Sequence, residues 1–255
     1  KRLQTKSFAE SSTVILPILL NSIKSYSLST TETSAIKYLK KWNHLSEISS
    51  VGASIYHYWN ISVKKLLFDE LTETELSKFC KLGEHWSLYK KLLFEPNSKW
   101  WDKTSTKDNI ENKNEIIYQA FKIAISKLTK LNNWEWGNIH QLEFEHPLGK
   151  KKPLNLIFNL GPYKSPGGYE QINNLKAASC SFQQKIKAGP STRRIIDFIS
   201  PESSFGILPI GNSGNLASIH YNDQSKLYFN NNYRNQLMNN ESIEKVKRKE
   251  FIFSP

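Results

Sequence analysis

The first half of the chain has the hydrophobic pattern of packed helices. Apolar residues recur there at spacings of three and four, the repeat of a helix that buries one face. The stripes occupy residues 8–25, then Ile36, Leu39 and Trp42, then Ile55, Trp59, Val63, Leu66 and Leu67, then Leu76, Phe79 and Leu82, and finally Ile117, Ala120, Phe121, Ala124, Leu128 and Leu131. We interpret these rows as helix packing rather than as a ligand-binding box.

Local signals set some of the predicted helix boundaries. Ser29-Thr30-Thr31-Glu32 and Thr72-Glu73-Thr74-Glu75 both have the form of a capping box, which predicts a helix start at each. Pro17 lies inside the first stripe and predicts a kink, because proline removes an intrahelical donor and clashes with the preceding turn.

The pattern changes after Asn132-Asn133. Residues 139–145 alternate apolar and polar side chains, which predicts a half-buried strand, and 154–160 is a second strand candidate. Pro162 and Pro166-Gly167-Gly168 mark a loop. Two further strands are predicted at 194–199 and 204–210, joined by a turn at Ser200-Pro201-Glu202, and a closing strand at 251–253. The prediction is an α+β protein with a helical region over 1–132 and a β-rich part over 133–255.

Composition adds a strong positive charge. The chain has 255 residues, 35 Lys and Arg, 23 Asp and Glu, and a formal net charge of +12. This balance could suit a nucleic-acid partner. The charge is nearly all lysine spread along the chain, however, with local clusters only at Lys150-Lys151-Lys152 and within 245–249, which favours a solvated basic surface. No apolar run approaches the roughly 20 residues that cross a bilayer, and localisation cannot be derived from the residues.

Few residues suggest chemistry by spacing alone. Cys80 and Cys180 fit two buried thiols or one disulfide equally well. The six histidines show no zinc-ligand spacing, so no metal site is expected. Ser213, between Asn212 and Gly214, superficially resembles a nucleophile on a turn. We favour local hydrogen bonding for Ser213 and a turn shaped by Gly211 and Gly214.

Ordered motifs along nearly the whole chain resemble the penicillin acylase family. No single motif is specific, but their shared order is. They are the helix with Leu-Pro-Ile-Leu-Leu over 16–20, Tyr38-Leu39 followed by Trp42-Asn43, Trp136-Gly137-Asn138-Ile139-His140 with His146-Pro147-Leu148, Gly167-Gly168 with Asn173, Gly189-Pro190-Ser191 through Asp197-Phe198, Gly211-Asn212-Ser213-Gly214-Asn215, and Ser218-Ile219-His220-Tyr221.

This resemblance implies an N-terminal-nucleophile amidohydrolase with an αββα sandwich, to which this chain contributes part. In that family a self-cleaved precursor exposes an N-terminal Ser whose α-amine acts as base, and an Asn helps stabilise the oxyanion. The resemblance places the Ser, the Asn, a nearby Arg and any calcium ligands upstream of residues 8–21. The segment is thus expected to be the C-terminal part of the β subunit and inactive alone. Its partners would be the α subunit, the rest of the β subunit and a small amide, and its location periplasmic or extracellular.

Asp197 is the one residue here to which the resemblance gives a catalytic-support role. In relatives that act on cephalosporins or acyl-homoserine lactones, a Glu at the matching position orients a His near the nucleophile. Asp197 is one methylene shorter, and it could instead bond the backbone or Arg194 at the strand end.

The chain departs from the family pattern at three positions. Asn212, Leu216 and Ile219 stand where relatives often have Gln, Pro and Pro. These differences concern the substrate class more than the fold. Two alternatives stay open: a stand-alone basic module that binds nucleic acid or another polyanion, and a non-catalytic acylase homologue that keeps the fold for binding.

Overall fold

The long helices lie in the first half of the chain, and the described strands follow them, interspersed with short helices. A computed structural model describes residues 3–82, 84–169, 171–177 and 180–247. The helices are α1 (Ser12–Ser22), α2 (Thr30–Lys41), α3 (Val51–Leu67), α4 (Glu73–Phe79), α5 (Glu84–Leu93), α6 (Lys113–Leu128), α7 (Trp136–Ile139), α8 (Asn155–Phe158), α9 (Ser225–Phe229) and α10 (Asn240–Val246). Short 3-10 turns occupy Lys99–Trp101, Leu148–Lys150 and Pro201–Ser203.

The described strands are β1 (His140–Phe144), β2 (Leu160–Lys164), β3 (Lys176–Ala177), β4 (Gln184–Ala188), β5 (Arg193–Ile195), β6 (Phe205–Ile207) and β7 (Arg234–Asn235). They form two separate sheets. The first has the order β2-β1-β4-β3, in which β1 pairs antiparallel with β2 and parallel with β4, and β3 pairs antiparallel with β4. The second is antiparallel throughout, with the order β5-β6-β7. The protein is therefore α+β, as predicted.

The chain divides into two compact units. The larger unit comprises the described residues of 6–189, and the smaller unit comprises those of 3–5 and 190–247. The change from helices to strands falls between α6 and β1, inside the larger unit. The compact units separate between Thr5 and Lys6 and again between Gly189 and Pro190, and the division into domains at 132/133 stays a prediction.

Helices α3 and α6 form the centre of the larger unit. Trp59 on α3 is fully buried and packs on Phe121 of α6, with ring centroids 4.6 Å apart. Its indole N–H donates to the backbone oxygen of Ile117 over 3.0 Å, so the largest core side chain is also paired. In the smaller unit, the buried Arg193 lies 4.0 Å from the ring centroid of Tyr228 and donates to its backbone oxygen.

Both predicted capping boxes are confirmed. At α2, Ser29 Oγ accepts from the N–H of Glu32, while Glu32 accepts from the N–H of Ser29, and Thr72 and Glu75 repeat the arrangement at α4. A third capping box, between Asn112 and Glu115, opens α6 and was not predicted from the sequence. Each box satisfies backbone donors that a helix start would leave unpaired.

The strand predicted at 154–160 is wrong. Residues Asn155–Phe158 form a short helix instead, in which the N–H groups of Ile157 and Phe158 both donate to the oxygen of Leu154 over 3.0 Å. Leu156 and Ile157 are 81% and 53% exposed, so their apolar character does not indicate a core position. A short apolar run has no period that separates a strand from a helical turn. The strand begins only at Leu160 and includes Pro162, which is tolerated because β2 is an edge strand.

Other predicted elements exist but are shorter. The helix predicted over 8–25 is α1, which contains Pro17. Phe8 lies before this helix and forms an isolated antiparallel β-bridge with Leu45. The strands predicted at 194–199 and 204–210 are β5 and β6, which pair antiparallel around the turn at Pro201–Ser203. The strand predicted at 251–253 lies outside the described residues.

Cys80 and Cys180 form a disulfide across a sequence separation of 100 residues. The structure thus decides between the two states that the sequence left open. The bond ties the end of α4 to the segment that precedes β4, and both half-cystines belong to the larger unit.

Candidate functional site

Asp197 lies just after β5, on the turn that leads to β6. Its carboxylate Oδ1 accepts from the N–H groups of Ile199 and Ser200 over 3.0 and 3.1 Å, and its own N–H donates to Ser204 Oγ. The residue is exposed, and Ile196, Phe198 and Ile199 beside it are 53%, 90% and 98% exposed. In this chain Asp197 therefore shapes the turn, and its carboxylate stands at the surface of the smaller unit.

The Asn212-Ser213-Gly214 run also forms a turn in the smaller unit. Ser213 Oγ accepts from the N–H of Asn215 over 3.1 Å, in agreement with the local bonding predicted for it. A Cβ at Gly211 would lie 1.7 Å from the backbone oxygen of His220, so the close chain approach requires glycine there. Gly214, by contrast, has open space around its Cα.

The Trp-Gly-Asn-Ile-His motif is buried in the larger unit. The ring nitrogens of His140 lie 2.7 and 2.6 Å from the backbone oxygens of Ser165 and Leu175, and burial lowers the pKa of the ring. Trp136 stacks on His140 and donates to the oxygen of Gly167 over 3.0 Å. These two side chains thereby hold the start of β1 against the loop that carries Gly167.

Gly167 occupies a position in that loop where the backbone fits only glycine. Its φ is +89°, and a Cβ there would lie 2.3 Å from the backbone oxygen of Asn173. Its N–H donates to the oxygen of Ser46, and the N–H of Gly168 donates to that of Asn173. The Gly-Gly pair is therefore a structural turn against Asn173, as its residue types suggested.

A polar, aromatic-walled cavity of about 100 Å³ lies inside the larger unit, next to this loop. Helix α3 supplies one wall, α5 a second, and the Trp136 and Gly168 regions a third. The polar and aromatic side chains that line it include Tyr56, His57, Asn60, Lys64, His85, Trp86, Trp136, Gln171, Cys180 and Gln184. A concave space with convergent polar groups is the usual form of a small-molecule site.

His57 contributes a neutral imidazole to the cavity. Burial lowers its pKa to about 3, which outweighs the hydrogen bond to the backbone oxygen of Ser181 at 3.3 Å; the nearby positive charge of Lys64 also lowers it. The ring lies edge-on to Trp136 at 5.2 Å. At neutral pH, His57 thus offers one N–H donor and one acceptor nitrogen.

Lys64 places a positive charge in the wall of the cavity. It is only 6% exposed, and its ammonium lies 3.8 Å from the ring centroid of Trp86 and 5.1 Å from that of Tyr89. Asn60 links the same walls, because its amide donates to the oxygen of Tyr56 and its oxygen accepts from the Tyr89 hydroxyl. The cation is held by aromatic faces on a rigid helix pair.

Cys80, His85 and Cys180 place their ligand atoms within 4.8 Å of one another. Both sulfurs are in the disulfide, so neither is available as a thiolate, and His85 Nδ1 lies against the oxygen of Leu82. Disulfide packing accounts for this cluster.

The sequence did not predict the cavity. The side chains that line the cavity come from α3, α5 and a distant loop, so no local spacing in the sequence relates them. The apolar stripe of α3 was recognised, but His57, Asn60 and Lys64 lie between its apolar positions and read as ordinary polar residues. The cavity side chains belong to the larger unit, whereas Asp197 belongs to the smaller unit.

Family comparison identifies the class of protein. Residues 1–245 match the family model for penicillin amidase, so the chain belongs to the penicillin amidase family of acylase-type amidohydrolases. The predicted resemblance is confirmed.

Individual relatives agree with this assignment. The acyl-homoserine lactone acylase QuiP of Pseudomonas aeruginosa is 23% identical over 229 residues, which cover 78% of this chain and 26% of that protein. QuiP of Pseudomonas fluorescens is 28% identical over 135 residues, covering 51% and 16%. This chain spans about a quarter of the length of the first of these relatives.

A solved structure supports the fold. The thermostable penicillin G acylase from Alcaligenes faecalis aligns with a TM-score of 0.57 at 13% identity, covering 98% of this chain and 47% of that one. Within the part of the chain that the structure describes, no helix is both long and apolar enough to cross a membrane.

Proposed function

We propose that this chain is the distal part of the nucleophile-bearing β subunit of an N-terminal-nucleophile acylase. The whole enzyme would hydrolyse linear amides, such as penicillins or acyl-homoserine lactones, through an acyl-enzyme on a Ser outside this segment. The observation that carries the proposal is the family match over residues 1–245, supported by relatives named as acyl-homoserine lactone acylases.

The smaller unit has exposed apolar side chains, as expected for a structural part of a larger enzyme. Ile196, Phe198 and Ile199, on both sides of Asp197, are large exposed apolar side chains, which soluble surfaces seldom leave uncovered when they cluster. We propose that the rest of the acylase packs against these side chains. Strands β5 and β6 would form part of its αββα sandwich.

We further propose that Asp197 is a positioning residue, which orients a His near the nucleophile. The proposal is supported by its position beside this apolar run and by the Oδ1 bonds that fix its carboxylate. Calcium, with ligands outside the segment, and a periplasmic or extracellular location belong to the same proposal.

The proposal is tested by comparing two expressed forms. Residues 1–255 alone and the product of the whole open reading frame are assayed on a chromogenic N-acyl amide and on acyl-homoserine lactones. We expect turnover only from the whole product, because the Ser and its oxyanion donors lie elsewhere. The upstream reading frame should encode an internal Ser at a cleavage point and a downstream Asn.

Turnover by residues 1–255 alone would contradict the assignment of the nucleophile. A whole product that processes itself but hydrolyses no amide would favour a non-catalytic homologue. Steeply salt-dependent DNA binding without amidase activity would favour the basic-module alternative.

A further inference from the structure

The connection between β1 and β2 exposes apolar and basic side chains together. Leu148, on a 3-10 turn, is 54% exposed, and Leu156 and Ile157, on α8, are 81% and 53% exposed. The three consecutive lysines over 150–152 lie between these two elements and are all exposed. Folding accounts for neither set, because exposed aliphatic groups add nothing to the core and neighbouring like charges repel each other.

Packing inside the connection holds the two sets side by side. Gly149 is buried against α8, where an added Cβ would lie 3.5 Å from the Cα of Asn155 and would collide with Asn159 Oδ1. Asn159 Oδ1 also accepts from the N–H of His146 over 3.1 Å, and the His146 ring stacks on Phe158 with centroids 5.0 Å apart. The 3-10 turn therefore lies against α8, and the three lysines join two elements that are in contact.

The charge of this connection is strongly positive. Residues 145–159 contain three lysines and one carboxylate, that of Glu145. Among the described residues, no ion pair joins the ammonium groups over 150–152 to a carboxylate. Glu143, at the adjoining end of β1, accepts from Asn159 Nδ2 over 3.1 Å. The exposed apolar side chains thus stand beside a cationic surface, which complements an anionic partner.

The residue types favour a lipid surface over a protein as that partner. The buried centres of protein interfaces are enriched in aromatic residues and arginine and depleted in lysine. Lysine suits a membrane boundary, because its stem lies along apolar groups while its ammonium reaches the phosphates. Anionic leaflets attract such clusters of lysine, and aliphatic side chains that enter the boundary between headgroups and acyl chains leave water.

We propose that the β1–β2 connection is a docking surface for a membrane of anionic phospholipids. Leu148, Leu156 and Ile157 enter the boundary between headgroups and acyl chains, and the lysines over 150–152 bind the phosphate groups. The contact is peripheral and reversible, because it depends on a few side chains and on charge. This inference does not depend on the proposed acylase activity.

The test measures binding of the purified product of the whole open reading frame to lipid vesicles by co-sedimentation. Vesicles of phosphatidylcholine alone are compared with vesicles of phosphatidylcholine mixed with phosphatidylglycerol. We expect the mixed vesicles to bind the protein at least about 10-fold more tightly, and we expect this preference to weaken as salt is added.

Two variants separate the apolar contribution from the charge. The apolar variant, Leu156→Ser/Ile157→Ser, should weaken binding to the mixed vesicles at least about 10-fold while keeping its salt dependence. The lysine variant, Lys150→Gln/Lys151→Gln/Lys152→Gln, should weaken binding at least about 10-fold and reduce the salt dependence.

A matched control removes the same charge elsewhere. Lys37→Gln/Lys40→Gln/Lys41→Gln changes three exposed lysines of α2 and leaves the β1–β2 connection intact. It should change binding to the mixed vesicles by less than about threefold, because its lysines have no place at the proposed contact. Far-UV circular dichroism checks that each variant folds.

Equal affinity for the two kinds of vesicle would overturn the proposal. Unchanged binding in the folded apolar variant, or an equal loss in the α2 control, would also overturn it, since net charge alone would then explain the attraction. If the whole product binds neither kind of vesicle, the rest of the protein covers this surface and the proposal is wrong. Because no turnover is measured, failure here is distinct from failure of the acylase proposal.

Discussion

Burial in the fold changes the proton affinity of His57 strongly. In the unfolded chain its pKa is about 6.5, and in the fold burial lowers the pKa to about 3. Between these values the unfolded chain holds a proton that the folded chain does not. The stabilisation is complete above pH 6.5 and is lost as the pH falls towards 3.

We therefore expect the free energy of unfolding to decrease as the pH is lowered from 6 to 4.5. His57 contributes about 1.4 kcal/mol to this decrease per pH unit. His140, whose pKa burial also lowers, adds a slope of the same sign. Urea unfolding at several pH values measures this. His57→Gln should flatten the slope. An equal slope in His57→Gln would contradict the assignment.

Asp197 allows its charge and its turn to be tested separately. Asp197→Asn keeps an Oδ1 acceptor for the N–H groups of Ile199 and Ser200 but removes the charge. If the carboxylate orients a catalytic His, this variant of the whole enzyme should lose about 10- to 100-fold in kcat, with a shifted pH profile and little change in KM.

Asp197→Ala is the matched control for the turn. It removes the acceptor as well and should cost about 1 kcal/mol of stability, measured by thermal unfolding. If Asp197→Asn keeps wild-type kcat and pH profile, the residue only shapes the turn, and the proposed positioning role is wrong.

At the scale of elements, the Cys80–Cys180 disulfide closes a long covalent loop, with a sequence separation of 100 residues. A loop of about 100 residues restricts the unfolded chain strongly, so reduction should lower the free energy of unfolding by about 2–5 kcal/mol. Urea unfolding with and without a phosphine reductant measures the change.

The Cys80→Ser/Cys180→Ser double variant controls for other effects of the reductant. It should match the reduced wild type and show no response to the phosphine. Identical urea midpoints for oxidised and reduced wild type would rule out a stabilising role for the bond.

Elements were predictable where a local rule is strict. The boxes at Ser29 and Thr72 fixed two helix starts because the same four residues supply both hydrogen bonds. The run 154–160 failed because its apolar residues are exposed, and neither composition nor spacing records exposure. The box at Asn112 was not predicted, although an Asn side chain caps a helix start as well as Ser or Thr does.

At the scale of the whole molecule, the α+β class and the family were predictable because they depend on the order of segments along the chain. The cavity was not, since it joins Lys64, Trp86 and Gln171 from three distant segments. The disulfide was undecided for the same reason: Cys80 and Cys180 meet only once the larger unit is folded.

The smaller unit is discontinuous in sequence. Gln4 belongs to it, because its side-chain amide donates to the oxygen of Arg194 and its Oε1 accepts from the Tyr233 hydroxyl. In topological terms the larger unit is an insertion, entered after Thr5 and left at Gly189. Changes of length within that insertion leave the path of the smaller unit intact, provided that both connections are kept. The insertion thus carries its own hydrophobic core, disulfide and cavity, separately from the hydrogen bonds that hold Gln4 in the smaller unit.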